Sequence, residues 1–300
     1  MTAETARRPT PAQWLAGARP RTLPAACSPV IAATGLAVFE QGASWVAAIL
    51  ALVVSLALQV GVNYANDYSD GIRGADTERV GPLRLVGSGL ASPPLVKRAA
   101  FASFGIAGLA GLALVIMTQH WWLLAVGVAC VLAAWYYTGG KRPYGYAGLG
   151  EVFVFVFFGL VAVCGTAYVQ VGKVSLATLL TGVWVGALAC AILVTNNLRD
   201  IQGDAQVGKR TLATRLGDAR TRALYVVLVA LSALLIIIVA LLTTWWGLLG
   251  LAGLILAIPA LRVVITGGNG PALIGVLKAT SLAELASAVA FAAGLILSAL

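Results

Sequence analysis

The chain has 300 residues, of which 60% are hydrophobic and 10% are charged, and its mean hydropathy is +0.93. Soluble domains carry about 25% charged residues, so this composition excludes a soluble fold and predicts a polytopic membrane protein. The net charge of +9 does not predict nucleic-acid binding, because basic residues in so apolar a chain usually mark the cytoplasmic side of the membrane. The four cysteines stand singly in apolar runs, which excludes a zinc ribbon or a disulfide scaffold.

Apolar segments long enough to cross a bilayer as helices predict an all-α bundle of nine transmembrane spans. Residues 1–21 are expected to form a cytoplasmic N-terminal segment, and residues 22–300 a single domain. In chain order, the spans are predicted at 22–39, 43–63, 99–118, 121–138, 147–169, 174–195, 223–243, 245–265 and 271–299.

The basic residues predict how the chain is oriented. All of the 20 Lys and Arg residues except Lys173 and Lys278 fall in or at the edge of segments on one side of the membrane. The positive-inside rule makes that side cytoplasmic and predicts a multi-pass protein of the inner or plasma membrane with its N-terminus inside. Two inner segments, 64–98 after the second helix and 196–222 after the sixth, are long and polar. Function is therefore expected in these cytoplasmic loops.

The first long inner segment begins with asparagines and aspartates where the second apolar run ends. Asn63, Asp67 and Asp70 would share one face if the helix continued past the apolar residues, since positions three and four apart are neighbours. Arginines follow, so this segment supplies both carboxylates and cations. Its candidate site residues are Asn63, Asn66, Asp67, Asp70, Arg73, Asp76 and Arg79.

The second long inner segment has a similar pattern after the sixth apolar run. Asp200 and Asp204 lie one helical turn apart and would share a face. Weak similarity between the two segments hints at an internal duplication that would place them face to face. The candidate residues here are Asn196, Asn197, Arg199, Asp200, Asp204, Lys209 and Arg210.

Clustered carboxylates at a membrane surface are unfavourable, because like charges repel and burial penalises each charge. A divalent cation removes both penalties, and Mg²⁺ prefers oxygen ligands together with waters and phosphate oxygens. The neighbouring Arg and Lys residues suit a phosphate or diphosphate. The alternative interpretation is two solvated loops that happen to be acidic.

A third inner loop combines aromatic and basic residues around a glycine pair. Lys141 and Arg142 suit an anionic group, while Tyr137 and Tyr144 could face a developing cation. An ordinary interfacial belt of aromatic and basic residues explains the loop equally well. Glu151 lies at the start of the fifth span. It would either contact an aromatic acceptor or be a carboxylate at the helix N-terminus that the helix dipole stabilises.

Glu284 lies inside the last apolar span, where a carboxylate suggests a function. Two expectations for it stay open: it pairs with Lys278, or it touches substrate.

Together these motifs resemble the UbiA superfamily of intramembrane aromatic prenyltransferases. The resemblance rests on Asn-Asp-x-x-Asp at 66–70 and Asp-x-x-x-Asp at 200–204, and it covers nearly the whole chain. The stretches Arg-Val-Gly-Pro at 79–82, Pro-Tyr-Gly-Tyr at 143–146 and Gly-Lys-Arg-Thr at 208–211 resemble the branch that prenylates 1,4-dihydroxy-2-naphthoate. The first motif departs from the usual superfamily spacing, because Asp76 follows Asp70 by six positions rather than four. This leaves open which of the two is a metal ligand.

The resemblance implies Mg²⁺-dependent transfer of a polyprenyl group from polyprenyl diphosphate to 1,4-dihydroxy-2-naphthoate, with loss of the carboxylate, giving demethylmenaquinone. It implies two Mg²⁺ ions, held by Asp67 and Asp70 or Asp76 on one side and by Asp200 and Asp204 on the other. The asparagines would supply neutral oxygen ligands or orient the carboxylates, and the tyrosines would shield the allyl cation. The residues expected to neutralise the leaving diphosphate are Arg73, Arg79, Lys141, Arg199, Lys209 and Arg210.

Two alternatives remain at this point. A UbiA-type enzyme could prenylate another aromatic acceptor, such as 4-hydroxybenzoate. A cation-coupled transporter would also carry acidic clusters, although transporter carboxylates usually lie near the bilayer midplane rather than at one face.

Overall fold

The structure is a computed structural model that describes residues 9–74, 83–206 and 208–300. Every regular element among these residues is helical, which confirms the all-α prediction. Seven helices are long and apolar enough to cross a membrane, and the bent pair Pro11–Thr22 and Pro24–Phe39 makes an eighth span if counted as one. The protein is therefore a multi-pass membrane protein.

In chain order the helices are α1 (Pro11–Gly17), α2 (Pro24–Phe39), α3 (Trp45–Ile72), α4 (Pro93–Thr118), α5 (Leu123–Tyr136), α6 (Gly150–Val171), α7 (Leu176–Gln206), α8 (Leu212–Leu242), α9 (Trp245–Ile265) and α10 (Pro271–Leu297).

The segment predicted to span the membrane at 121–138 forms a shorter helix than expected. Helix α5 has 14 residues, whereas a span needs about 20. Gly140 follows it with φ 75°, a backbone conformation that ends a helix and suits glycine. The helix is therefore shorter than the predicted span at 121–138.

The two acidic segments are helical where loops were predicted. Helix α3 continues to Ile72 and α7 to Gln206, so the predicted loop starts at 64 and 196 were too early. The polar residues at these helix ends have tertiary partners, described below, so the helix does not have to stop where its apolar residues end. This extension places each acidic motif on a helix rather than on a loop.

Three buried clusters hold the described helices together, and two of them include residues next to the acidic motifs. The larger contains Trp184, Tyr225 and Phe291 and joins α2, α6, α7, α8, α9 and α10. The smaller contains Tyr64 and Phe104 and joins α3 to α4 and α5. The acidic ends of α3 and α7 therefore stand over two different parts of the core.

Small residues allow two pairs of helices to approach closely. A methyl group on Gly159 of α6 would lie 2.5 Å from the carbonyl oxygen of Gly182 and 2.6 Å from Cα of Gly186, both on α7. A methyl group on Gly35 of α2 would lie 2.6 Å from Cα of Ala292 on α10. The first long helix thus packs directly against the last, and the bundle closes on itself.

Candidate active site

Asp67 of α3 is buried and binds the chain that leads into α4. Its Oδ2 accepts a hydrogen bond from the backbone N–H of Leu85 at 2.6 Å, and its Oδ1 accepts one from Val86 at 3.0 Å. The carboxylate is 1% exposed, and the guanidinium of Arg19 lies within electrostatic range of it. Asp67 therefore anchors the segment after α3 as well as contributing negative charge.

Asp70, one turn further along α3, has partners from two other segments. The hydroxyl of Tyr146 donates a hydrogen bond to its Oδ1 at 2.7 Å. The guanidinium of Arg84 lies 3.6 Å from its Oδ2. Neither Tyr146 nor Arg84 was predicted from the sequence as a site residue, because sequence spacing does not reveal partners so far along the chain.

The asparagines of the first motif connect it to its surroundings. Asn63 donates to the carbonyl of Ala18 at 2.9 Å and to the hydroxyl of Thr22 at 3.1 Å. Asn66 accepts a hydrogen bond from the hydroxyl of Thr138 at 2.8 Å. Asn63 therefore holds the segment from Ala18 to Thr22, and Asn66 holds the side chain of Thr138. Their predicted roles as neutral metal ligands, or in orienting the carboxylates, stay predictions.

Arg73 also holds backbone. Its guanidinium donates to the carbonyl oxygens of Thr138 and Gly140 in the loop after α5. The remaining first-motif predictions, Asp76 and Arg79, lie outside the described residues.

The second acidic motif, on α7, has partners that are close in sequence. Arg199 donates to both oxygens of Asp200 at 2.7 and 2.8 Å, and to Oδ1 of Asn196 at 2.8 Å. The ammonium of Lys209 lies 3.3 Å from Asp204. These carboxylates stand beside basic side chains, as the sequence analysis expected, and the basic groups are those that a diphosphate would need.

Glu151 and Asn197 form a further polar contact below the second motif. Asn197 donates to Oε1 of Glu151 at 2.9 Å. The other carboxyl oxygen, Oε2, is buried and has no hydrogen-bond partner among the described residues. A buried acceptor without a partner is costly, so this oxygen is a candidate contact for a bound molecule.

Tyr146 joins the two acidic motifs. Besides its bond to Asp70, its ring lies 5.3 Å from the ammonium of Lys209, which pairs with Asp204. Its carbonyl accepts the backbone N–H of Arg210 at 3.0 Å. Tyr146 therefore bridges the ends of α3 and α7, which are far apart in sequence.

The phenol of Tyr146 stays protonated over a wide pH range. Burial raises its pKa well above the usual value, and the charge of Asp70 and the hydrogen bond to it raise the pKa further, while Arg73 lowers it. Burial likewise raises the pKa of Tyr144. Both hydroxyls therefore act as hydrogen-bond donors near neutral pH.

The predicted aromatic and basic residues of the third loop divide into two groups. Tyr137 and Tyr144 contact each other edge to face, with ring centroids 5.5 Å apart, and Tyr144 donates to the carbonyl of Ala133 at 2.7 Å. Lys141 and Arg142 are exposed. The rings are thus built into the protein, whereas the two cations remain accessible to a ligand.

Comparison with known proteins identifies the family of the chain. The profile of the UbiA prenyltransferase family matches residues 26–270. The 1,4-dihydroxy-2-naphthoate octaprenyltransferase of Mycobacterium tuberculosis is 54% identical over 284 residues, covering 95% of this chain and 97% of that protein. The protein of the same name from Escherichia coli is 36% identical over 293 residues, covering 95% of each chain.

Solved structures share the fold. A UbiA homologue from Archaeoglobus fulgidus bound to GPP and Mg²⁺ superposes with a TM-score of 0.64 at 17% identity, covering 92% of this chain and 99% of that one. An apo UbiA homologue from Aeropyrum pernix K1 gives a TM-score of 0.65 at 18% identity, covering 92% of this chain and 98% of that one. At such low identity these structures establish only the fold. Together with the family profile and the relatives, they show that the chain belongs to the UbiA prenyltransferase family.

Proposed function

We propose that the protein transfers a polyprenyl group from polyprenyl diphosphate to 1,4-dihydroxy-2-naphthoate, releasing pyrophosphate and the carboxylate as CO₂, to give demethylmenaquinone. The observation that carries this proposal is the similarity, along almost the full chain, to relatives named for naphthoate prenylation. The convergence of two acidic helix ends at Tyr146 supports a diphosphate site in the same place.

The carboxylates of the two acidic motifs suit Mg²⁺ that is held jointly by protein and substrate better than a metal ion held by protein ligands alone. Among the described residues, no group of three or more His, Cys, Asp or Glu is placed to hold a metal ion. Mg²⁺ typically uses one or two carboxylates, several waters and substrate phosphate oxygens. We assign Asp67 and Asp70 to one ion and Asp200 and Asp204 to a second, with Asp76 as a further candidate. Bound Mg²⁺ would neutralise the diphosphate as it leaves.

The chain's own residues would perform the remaining tasks. Arg199 and Lys209 hold positive charge beside the second motif, and Lys141 and Arg142 are accessible to a diphosphate from the cytoplasmic side. Stabilisation of charge at the leaving group is often the largest catalytic contribution. The rings of Tyr137 and Tyr144 present π faces that would stabilise an allyl cation and exclude water.

The acceptor would attack while bound beneath this polar layer. Glu151 has a carboxyl oxygen with no protein partner, so we assign it to acceptor binding. The ends of α3 and α7 would be held in place by the side chains of Asn63, Asn66, Asn196 and Asn197.

The proposal includes the full membrane topology. We propose nine spans in one domain over residues 22–300, with α2 as the first span and α5 as a short one, preceded by a cytoplasmic segment over residues 1–21. The N-terminus and the site would face the cytoplasm, because the basic residues concentrate on that side.

A substrate-pair assay tests the function. Purified full-length protein in detergent, with Mg²⁺ and a polyprenyl diphosphate, should convert dihydroxynaphthoate to demethylmenaquinone, identified by mass spectrometry, with pyrophosphate release. Chelation by EDTA should stop the reaction, and added Mg²⁺ should restore it. Prenylation of 4-hydroxybenzoate instead would overturn the acceptor assignment, and no consumption of diphosphate with any phenol would overturn the reaction class.

A further inference from the structure

Glu284 is a buried acid that the mechanism above does not use. It lies in the middle of α10, is 0% exposed, and neither carboxyl oxygen has a hydrogen-bond partner among the described residues. The sequence left open a pairing with Lys278, but Glu284 makes no such bond in this structure. A carboxyl group kept in the core without a partner is costly unless something else satisfies it.

One series of contacts places Glu284 below the first acidic motif. Asn63, one turn before Asp67, binds the Ala18 carbonyl next to the Pro20–Thr22 turn. On the other side of that turn, the hydroxyl of Ser281 donates to the carbonyl of Arg21 at 3.0 Å. Glu284 follows Ser281 by one helical turn, so it lies deeper in the bundle than this turn.

A second series reaches Glu284 from the other motif. Asn197 binds Glu151, and the thiol of Cys190 donates to the backbone carbonyl of Glu151 at 3.1 Å. Cys190 lies within electrostatic range of both Glu151 and Glu284. Cys27 also lies within electrostatic range of Glu284. Glu284 therefore lies in the core near Cys190 and Cys27, below the residues that carry both acidic motifs.

The chemistry of the reactants decides which of them suits this carboxyl group. The diphosphate is assigned above to the two acidic motifs, and a prenyl chain has no group that can form a hydrogen bond. The naphthoate carboxylate only accepts hydrogen bonds. Its neighbouring 1-hydroxyl can donate internally to that carboxylate, which leaves the 4-hydroxyl as the free donor.

We propose that Glu284 binds the aromatic acceptor by accepting a hydrogen bond from its 4-hydroxyl. This inference rests on the proposed function, because it names a contact to that reaction's acceptor. The carboxyl group thereby gains the partner that the protein does not provide, and the acceptor gains a fixed orientation in the apolar core. An acceptor without this hydroxyl leaves Glu284 unsatisfied and binds more weakly.

Binding without turnover tests the contact. Isothermal titration of the purified full-length protein in detergent, without diphosphate, compares 1,4-dihydroxy-2-naphthoate with 1-hydroxy-2-naphthoate. The wild type should bind the dihydroxy compound about tenfold more tightly, the usual scale of one buried hydrogen bond. Glu284→Leu should lose this preference by weakening only the dihydroxy compound, whereas Glu284→Gln, which keeps an acceptor oxygen, should retain most of it. Glu284→Met replaces Glu284→Leu if the latter does not fold.

Thr181→Val is the matched control. Thr181 on α7 is also 0% exposed, and its hydroxyl also lacks a partner among the described residues, but it lies nine positions further from the acidic motif than Cys190. This variant should keep the wild-type preference. A preference that is absent in the wild type, or that survives Glu284→Leu, overturns the inference.

The two proposals fail separately. If the wild type prenylates dihydroxynaphthoate but Glu284→Leu keeps the preference, only the Glu284 contact is wrong. If the preference depends on Glu284 but no naphthoate is prenylated, the contact stands and the proposed function is wrong.

Discussion

The two acidic motifs are built in different ways, although their sequences look alike. On α3, Asp67 and Asp70 are bound by Leu85, Val86 and Tyr146, which are distant in the chain. On α7, Asp200 binds its neighbour Arg199, and Asp204 lies beside the nearby Lys209. The first motif therefore holds the fold together, whereas the second is a local group of opposite charges.

This difference separates stability from catalysis. Removing a buried acceptor that holds two backbone donors leaves those donors unsatisfied, so it weakens the fold as well as the site. The bond between Asp200 and Arg199 joins neighbours in the chain, so its loss does not separate two segments of the fold. The motifs should thus respond alike in activity and differently in thermal stability.

The largest combined effect is expected from Asp67→Asn. An amide has one acceptor oxygen in place of two, so one of the Leu85 and Val86 N–H groups would face an NH₂ group. We expect a loss of about 1–3 kcal/mol in stability, together with a fall in turnover of at least about 100-fold. Thermal unfolding in detergent and the prenylation assay measure the two effects. An unchanged melting temperature would show that Asp67 does not hold the segment after α3.

Asp200→Asn should reduce turnover as strongly but leave stability almost unchanged. Arg199 keeps its bond to Asn196, and the bond that is lost joins neighbouring residues, so the free energy of unfolding should stay within about 0.5 kcal/mol of the wild-type value. The same two assays on matched preparations check this. A large loss of stability would contradict the distinction between the motifs.

Tyr146→Phe tests the residue that joins the motifs. Losing the hydrogen bond to Asp70 should cost about 1 kcal/mol of stability and reduce turnover about tenfold. Tyr136→Phe is the control, because Tyr136 is 50% exposed on α5, and it should behave as the wild type. Equal turnover of Tyr146→Phe and the control would remove Tyr146 from the site.

The same variant has a pH signature. Because the pKa of Tyr146 is raised in the folded protein, the phenol binds its proton more tightly when folded than when unfolded. Its contribution to stability is complete below the unfolded pKa of about 10 and is lost as pH rises above it. The melting temperature of the wild type should therefore fall more steeply above about pH 10 than that of Tyr146→Phe. Parallel curves would show that Tyr146 is not bound to a carboxylate.

The sequence predicted the helical class and the pairing of Asp67 with Asp70 and Asp200 with Asp204, because both rest on local spacing. It missed Tyr146 and Arg84, because their partner Asp70 lies on another helix and no periodic pattern encodes that contact. The predicted helix ends at 63 and 195 were early for a related reason. Hydropathy marks where apolar residues stop, whereas the helix stops where its backbone loses tertiary support.

The close approach of Gly35 to Ala292 has a consequence for biosynthesis. Helix α10 follows the other described helices in the chain, so the contact between α2 and α10 can form only after the ribosome has translated α10. Until then the nascent bundle is open to lipid along that side. The bond between Ser281 and the Arg21 carbonyl, and the burial of Glu284, belong to the same late step, so a chain truncated before Pro271 would have neither.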